Sequence, residues 1–185
     1  MARAVVVSPL GGRGPASGAL NHRKLAHGGA PRFGSAHLRL RESVLDRTTF
    51  CYPDSVFDPV DFGTAQRFAL IELADAGDRD FLDNYIEAHV HGPVTLDDVE
   101  AVVLDPSFEQ VDLPCRVERR AGFRLSTEDL LRNADYRTPE SVELGLAIAQ
   151  DGFIDPHILE KAEAAPQVVK HLWHHLARFG CGYGR

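Results

Sequence analysis

YIEAHVHGPVTLDDVEAVVLD, running from Tyr85 to Asp105, changes character twice. At a period of two, Glu87, His89 and His91 point to one face of a strand, and Ile86, Ala88 and Val90 to the other. Gly92-Pro93 interrupts the ladder, residues 94–98 form a short connector, and Val99–Leu104 is a second apolar run, short and β-branched enough for a strand. The pattern predicts two strands that pair, with one acid and two imidazoles on a shared face. Glutamate is depleted in strands and costly to bury unpaired, so Glu87 needs a partner or a task.

Upstream, Ala4–Val7 reads as a weak strand followed by a Gly/Pro/Ser loop, and GGRGPASG matches neither GxGxxG nor GxxxxGK[ST]. Ala19–Lys24, ALNHRK, is a polar and basic cluster. Arg32–Leu40 alternates as a strand, Glu42–Asp46 suits one helical turn, and Thr48–Tyr52 is a strand closed by the turn Pro53-Asp54-Ser55. Phe62–Ala76 has helical spacing, with Phe68, Ile71 and Leu73 on a core face. Beyond Asp105-Pro106, Cys115–Glu118 and Gly122–Leu125 read as short strands. Ser126, Pro139, Asp155-Pro156 and Pro166 then open four helices, the last stopped at Gly180.

At 185 residues and 44% apolar, the chain is long enough for one domain with a real core. Its net charge of −7 argues against nonspecific nucleic-acid binding. The charge is uneven: residues 1–50 hold eight Arg/Lys against Glu42 and Asp46, a net +6, which leaves −13 on the remainder. Cys51, Cys115 and Cys181 are odd in number, far apart and in no CxxC pair, which argues against a disulfide framework and against a thiolate zinc site. No apolar run approaches the roughly 20 residues that span a bilayer, and the N-terminal valines are too few for a signal peptide. The expectation is a cytoplasmic protein without membrane partners.

Several blocks resemble a bacterial family of unknown function, domain-of-unknown-function family 3626: GALNHRK, GGAPRFGSAHLRL, RTTFCYPDSVF, DNYIEAHVHGPVTLDDVEAVVLDP and LWHHLARFG, in order from Gly18 to Gly180. The order of elements also resembles the ADP-ribosyltransferases of the DNA-modifying toxin type. In that group an Asn/Arg-bearing strand, a strand–turn–strand and a helix precede the strand carrying the catalytic glutamate. The resemblance implies an α+β fold with a split antiparallel β-sheet and a helical C-terminal extension. Residues 1–18 are then an atypical leader and 19–185 one ADP-ribosyltransferase-like domain, with a β-rich core over 19–120 and a helical extension over 121–185.

The same resemblance implies NAD as substrate and no metal, with Glu87 and Arg23 catalytic and Asn21, His22 and Arg23 holding the dinucleotide. The acceptor is left open between nucleic acid, protein and a small molecule. It also implies a longer region ahead of ALNHRK, so the first NAD-binding strand is expected to be lost and activity weakened or absent.

Three readings of Glu87 stand beside one another. It is the transferase carboxylate; or, with His89 and His91 and a further ligand such as His37, it binds zinc or iron in a metal-dependent enzyme; or it is a strand-edge acid paired with Arg39 or Arg23, the chain as a whole then being a non-enzymatic binding module whose basic N-terminal third meets an anionic partner. His171, His174 and His175 lie close together on the last helix and read as packing beside Trp173. Cys51 reads as a small buried hydrophobe.

Overall fold

The computed structural model describes residues 3–6, 15–108, 116–120 and 122–181. They cluster into two compact units, one of residues up to Leu104 with 116–119, the other of 105–108, 120 and 122–181.

In the first unit β1 (Arg3–Val6), β2 (Ala16–Asn21), β3 (His37–Leu40), β4 (Thr48–Tyr52), β5 (Asp61–Thr64), β6 (Glu87–Val90), β7 (Val99–Leu104) and β8 (Val117–Arg119) form one sheet. Its order is β5-β4-β6-β2-β1-β3-β7-β8. Neighbours are antiparallel except β7 and β8. The α+β class read from the sequence holds. The expected split is bridged: the wings β5-β4-β6-β2 and β3-β7-β8 join through β1, whose Val5 and Val6 pair with Arg39 and Leu38. Thus part of the expected leader lies in the middle of the sheet. The Gly/Pro/Ser loop after it falls largely outside the described residues.

Alternation in β6 works as the sequence pattern requires. Ile86, Ala88 and Val90 are buried, and Ile86 and Ala88 pack with Leu20, Phe50 and Tyr52 of the flanking strands. Leu70 and Ala74 of helix α1 (Leu70–Ala76) close the same cluster. Burying such side chains stabilises by about 1.5–3 kcal/mol each.

Three expectations are corrected. β6 does not pair with β7, because both of its edges are taken by β2 and β4. A capping box at Thr95, with Asp98 answering its backbone N–H, starts a 3-10 turn over Leu96–Asp98. Arg41, just past β3, then donates its N–H to the carbonyl of Asp98 and its guanidinium to that of Asp97. The connector therefore delivers β7 beside β3.

The strand expected over Arg32–Leu40 is shorter, for Pro31–Phe33 form a 3-10 turn in which the Gly34 N–H donates to the carbonyl of Pro31. Proline has no N–H for a ladder, and only His37–Leu40 joins the sheet. The helix expected from Phe62 begins at Leu70. Asp61–Thr64 pairs with β4 instead, and Gly63 allows the Arg67 carbonyl to approach within 3.1 Å of where a Cβ would lie.

In the second unit β9 (Leu125–Ser126) pairs with β10 (Phe153–Ile154). Four helices follow the start signals: α2 (Thr127–Arg132), α3 (Pro139–Ile148), α4 (Pro156–Leu159) and α5 (Pro166–Phe179). The Ser126 hydroxyl accepts from the Asp129 N–H and the Asp155 carboxylate from the Ile158 N–H. Proline opens α3, α4 and α5. In α5 the whole stretch from Leu172 to Ala177 is buried, His174 and His175 included.

Phe50, 2% exposed and edge-on to Phe68 at 5.1 Å, anchors the first unit's core. Phe50→Ala is expected to destabilise that unit by about 3–5 kcal/mol, read by urea unfolding followed by far-ultraviolet circular dichroism. A loss below about 1 kcal/mol would mean that the cluster is not the core.

Candidate functional site

Register assembles the site. Glu87 lies opposite Ala19 on one side and Cys51 on the other, and His89 lies between Ser17 and Thr49. Directly paired residues share a face, so two strands bring Cys51 and Glu87 together although 36 residues separate them. Ala19, Ala30 and Tyr85 form a small apolar cluster, and Phe33 stands edge-on to Tyr85.

At the end of β4 the chain turns through Pro53, and Asp54 caps a 3-10 turn over Ser55–Phe57 by accepting from the Val56 N–H. That turn aims the Ser55 N–H at Glu87 Oε2, 2.8 Å away. The Cys51 thiol donates to the same oxygen at 3.6 Å, and His89 Nε2 lies 3.1 Å from Oε1.

Glu87 is only 7% exposed. Burial by itself pushes its pKa up, but the Ser55 N–H, the Ser55 hydroxyl and His89 outweigh it and hold the carboxyl below the usual range. Asp54 goes the other way: burial and the Glu87 charge raise it against the Val56 N–H, Arg32 and His89. Burial, then Glu87 and Asp54, push the Cys51 thiol up to about 12. Glu87 is thus a fixed anion at neutral pH, suited to stabilising positive charge and unsuited to giving a proton.

The side chains expected to hold the dinucleotide are engaged in bonds within the fold. Asn21 bonds both ways to the backbone of Leu25 and closes a turn. His22 and Arg23 bond to Asp75, and Arg23 also donates to the carbonyls of Ala74 and Asn84. Arg23 therefore caps the C-terminus of α1, which packs on the sheet face carrying Ile86, opposite Glu87. The cavity beside Asn21, His22 and Arg23 is about 10 Å³, the room of one water.

The expected metal ligands divide as well. His91 is exposed, with Nε2 2.9 Å from Thr49 Oγ1. Among the described residues, the donors that converge are Cys51, Glu87 and His89, all within 4.8 Å of one another. Neither His91 nor His37 belongs to that group. On α5, His171 bonds to Thr138 and Gln167, His174 accepts from Arg137, and His175 packs edge-on to Tyr136.

No arginine pairing of the expected kind supports Glu87. Arg39 is bound to Glu118 and Glu100. Arg23, Arg32, Arg39 and Arg47, four of the eight basic residues in the N-terminal third, each face an acid of their own unit. Sequence reasoning missed Ser55, Asp54 and the thiol as neighbours of Glu87. The turn Pro53-Asp54-Ser55 was the available signal, whereas the register that pairs Cys51 with Glu87 leaves none.

The family described as a protein of unknown function (DUF3626) matches residues 10–79 and 69–179, most of the chain. No curated protein matches it.

The opposed shifts have a sign that can be checked. Glu87, lowered by folding, adds stability above the ordinary carboxylate range and loses it as pH falls through its folded value. Asp54, raised by folding, acts in the opposite sense. Carboxyl carbon NMR titration is expected to place Glu87 below an ordinary glutamate and Asp54 above an ordinary aspartate. In Glu87→Gln, Asp54 should move down, and an unmoved Asp54 would refute the charge contact between them.

Proposed function

The chain belongs to the DUF3626 family, and we propose that it is an ADP-ribosyltransferase-like enzyme with NAD as donor and Glu87 as the carboxylate that meets the developing cation. The observation that carries this reading is the Ser55 N–H on Glu87, a contact that keeps a buried carboxylate ionised and aimed.

Cleavage of the donor breaks the bond between ribose C1′ and the nicotinamide nitrogen, and the electron pair leaves with nicotinamide. The ribose becomes oxocarbenium-like, as in other glycosyl transfers. An acceptor oxygen or nitrogen then bonds to C1′ and its proton passes to solvent. A preorganised anion beside C1′ lowers the energy of the cation without having to reorganise at that moment. His89 positions Glu87 through Oε1. Arg23 acts as a positioning residue for α1 in this reading.

β1 supports an active enzyme, because its backbone occupies the sheet beside β2, with Arg3 in register with Asn21. No described helix is long and apolar enough to cross a membrane. Among the described residues Cys51 and Cys181 are buried thiols, which agrees with a reducing, cytoplasmic setting. The acceptor, nucleic acid or protein, stays open in this proposal, so the test uses water in its place.

NAD hydrolysis and NAD binding are measured on the wild type and on Glu87→Gln, which keeps the shape and removes the charge. The expected result is a loss of turnover of at least about a hundredfold with binding little changed. Equal turnover in both proteins, or neither binding nor turnover in the wild type, overturns the reading.

A further inference from the structure

Cys51 is idle in the proposed transfer, yet it sits in the sheet directly beside Glu87. Its sulfur lies 3.6 Å from one carboxylate oxygen, and the imidazole nitrogen of His89 lies 3.1 Å from the other. A tetrahedral zinc ion, with bonds of about 2.0–2.3 Å to nitrogen, oxygen and sulfur, has donor-to-donor edges of about 3.3–3.6 Å. Two donor distances, each to a different oxygen of the Glu87 carboxylate, thus lie near such edges, and one ligand atom from each of the three residues falls within 4.8 Å of the others.

We propose that Cys51, Glu87 and His89 form a zinc-binding site with one position open to water. The three donors come from two adjacent strands whose backbones are fixed by the ladder, so little ordering is needed to bind. Cys51 is fully buried and Glu87 nearly so, while the His89 side chain is 24% exposed and gives the ion its way in. The mixed sulfur, nitrogen and oxygen set selects zinc over magnesium or calcium, which prefer oxygen alone. Binding forms a zinc–thiolate bond and releases the Cys51 proton to solvent, since coordination deprotonates a thiol. The Ser55 N–H remains on the carboxylate as the outer contact that orients it.

The site does not depend on NAD chemistry. Where both proposals hold, zinc occupies Glu87 and withdraws it from the ribose, so the ion inhibits.

Zinc affinity is measured without NAD, by competition with a chromophoric chelator, on the wild type, Cys51→Ser, His89→Gln and His91→Gln. Cobalt is then added to each as a spectroscopic substitute. The expected outcome is one equivalent of zinc per wild-type chain and affinity reduced at least about tenfold in Cys51→Ser and His89→Gln, with His91→Gln unchanged. Cobalt should show a thiolate charge-transfer band in the wild type that is absent from Cys51→Ser. No zinc binding by the wild type, equal affinity in all four proteins, or a wild-type cobalt spectrum without the thiolate band overturns the proposal. If Cys51→Ser proves unfolded by circular dichroism, the wild-type band and His89→Gln decide it. A transferase assay that fails leaves each of these readouts intact.

Discussion

A carboxylate buried on a central strand is largely removed from bulk water, and an ionised group buried without partners costs several kcal/mol. Glu87 meets that constraint with one backbone N–H, one hydroxyl, one imidazole and one thiol, drawn from β4, from the turn after it and from β6 itself. Hydrogen bonds to a charged group contribute about 1.5–3 kcal/mol each, so two good ones offset most of the penalty. The position of the Ser55 N–H in turn depends on β4 ending where it does and on Asp54 capping the turn. Moving the register of β4 against β6 by one residue would turn Cys51 away from Glu87 and place an aromatic neighbour beside the carboxylate.

That register is held from the other face of the sheet. Phe50, Tyr52, Ile86 and Ala88 interleave with the acid and the thiol along the same two strands, and all are buried under α1. Slipping the ladder would expose them together. The apolar face thus fixes the polar one, and Arg23 contributes at a distance by tying α1 to the end of β2. This is why Arg23, basic and close in sequence to a strand end, has a structural position even though its chemistry suits an anionic ligand.

The faces of β6 could be read from the sequence because alternation is a local property, and the helix starts at Ser126, Pro139, Asp155 and Pro166 because caps are local too. Pairing is not local. The sequence shows Val99–Leu104 as a strand but not that Arg41 draws the connector before it toward β3. Phe62 fits a helical period and a strand edge equally well until Gly63 is seen to admit the Arg67 carbonyl. Glu87 stood out as a carboxylate where none is favoured. Its neighbours did not, because Cys51 and Ser55 are ordinary residues for a buried strand and a turn. Asn21, His22 and Arg23 are of types that suit a dinucleotide, and in the fold their side chains close a turn and cap a helix.

What the site offers in the end is a fixed negative charge with one polarizable and one imidazole neighbour. A general acid would need the carboxyl raised toward neutrality, and the Ser55 contacts act against that. A ligand that exploits Glu87 must therefore bring positive charge, either developed in a transition state or carried by an ion. These two kinds of charge place different demands on the neighbours. An oxocarbenium-like ribose needs the carboxylate alone and space on its open side; a metal ion needs the thiol and the imidazole to turn inward with it. Cys51, Glu87 and His89 converge within 4.8 Å of one another, which bears on the second demand. One carboxylate can satisfy only one of them at a time, so the two proposed ligands exclude each other at Glu87.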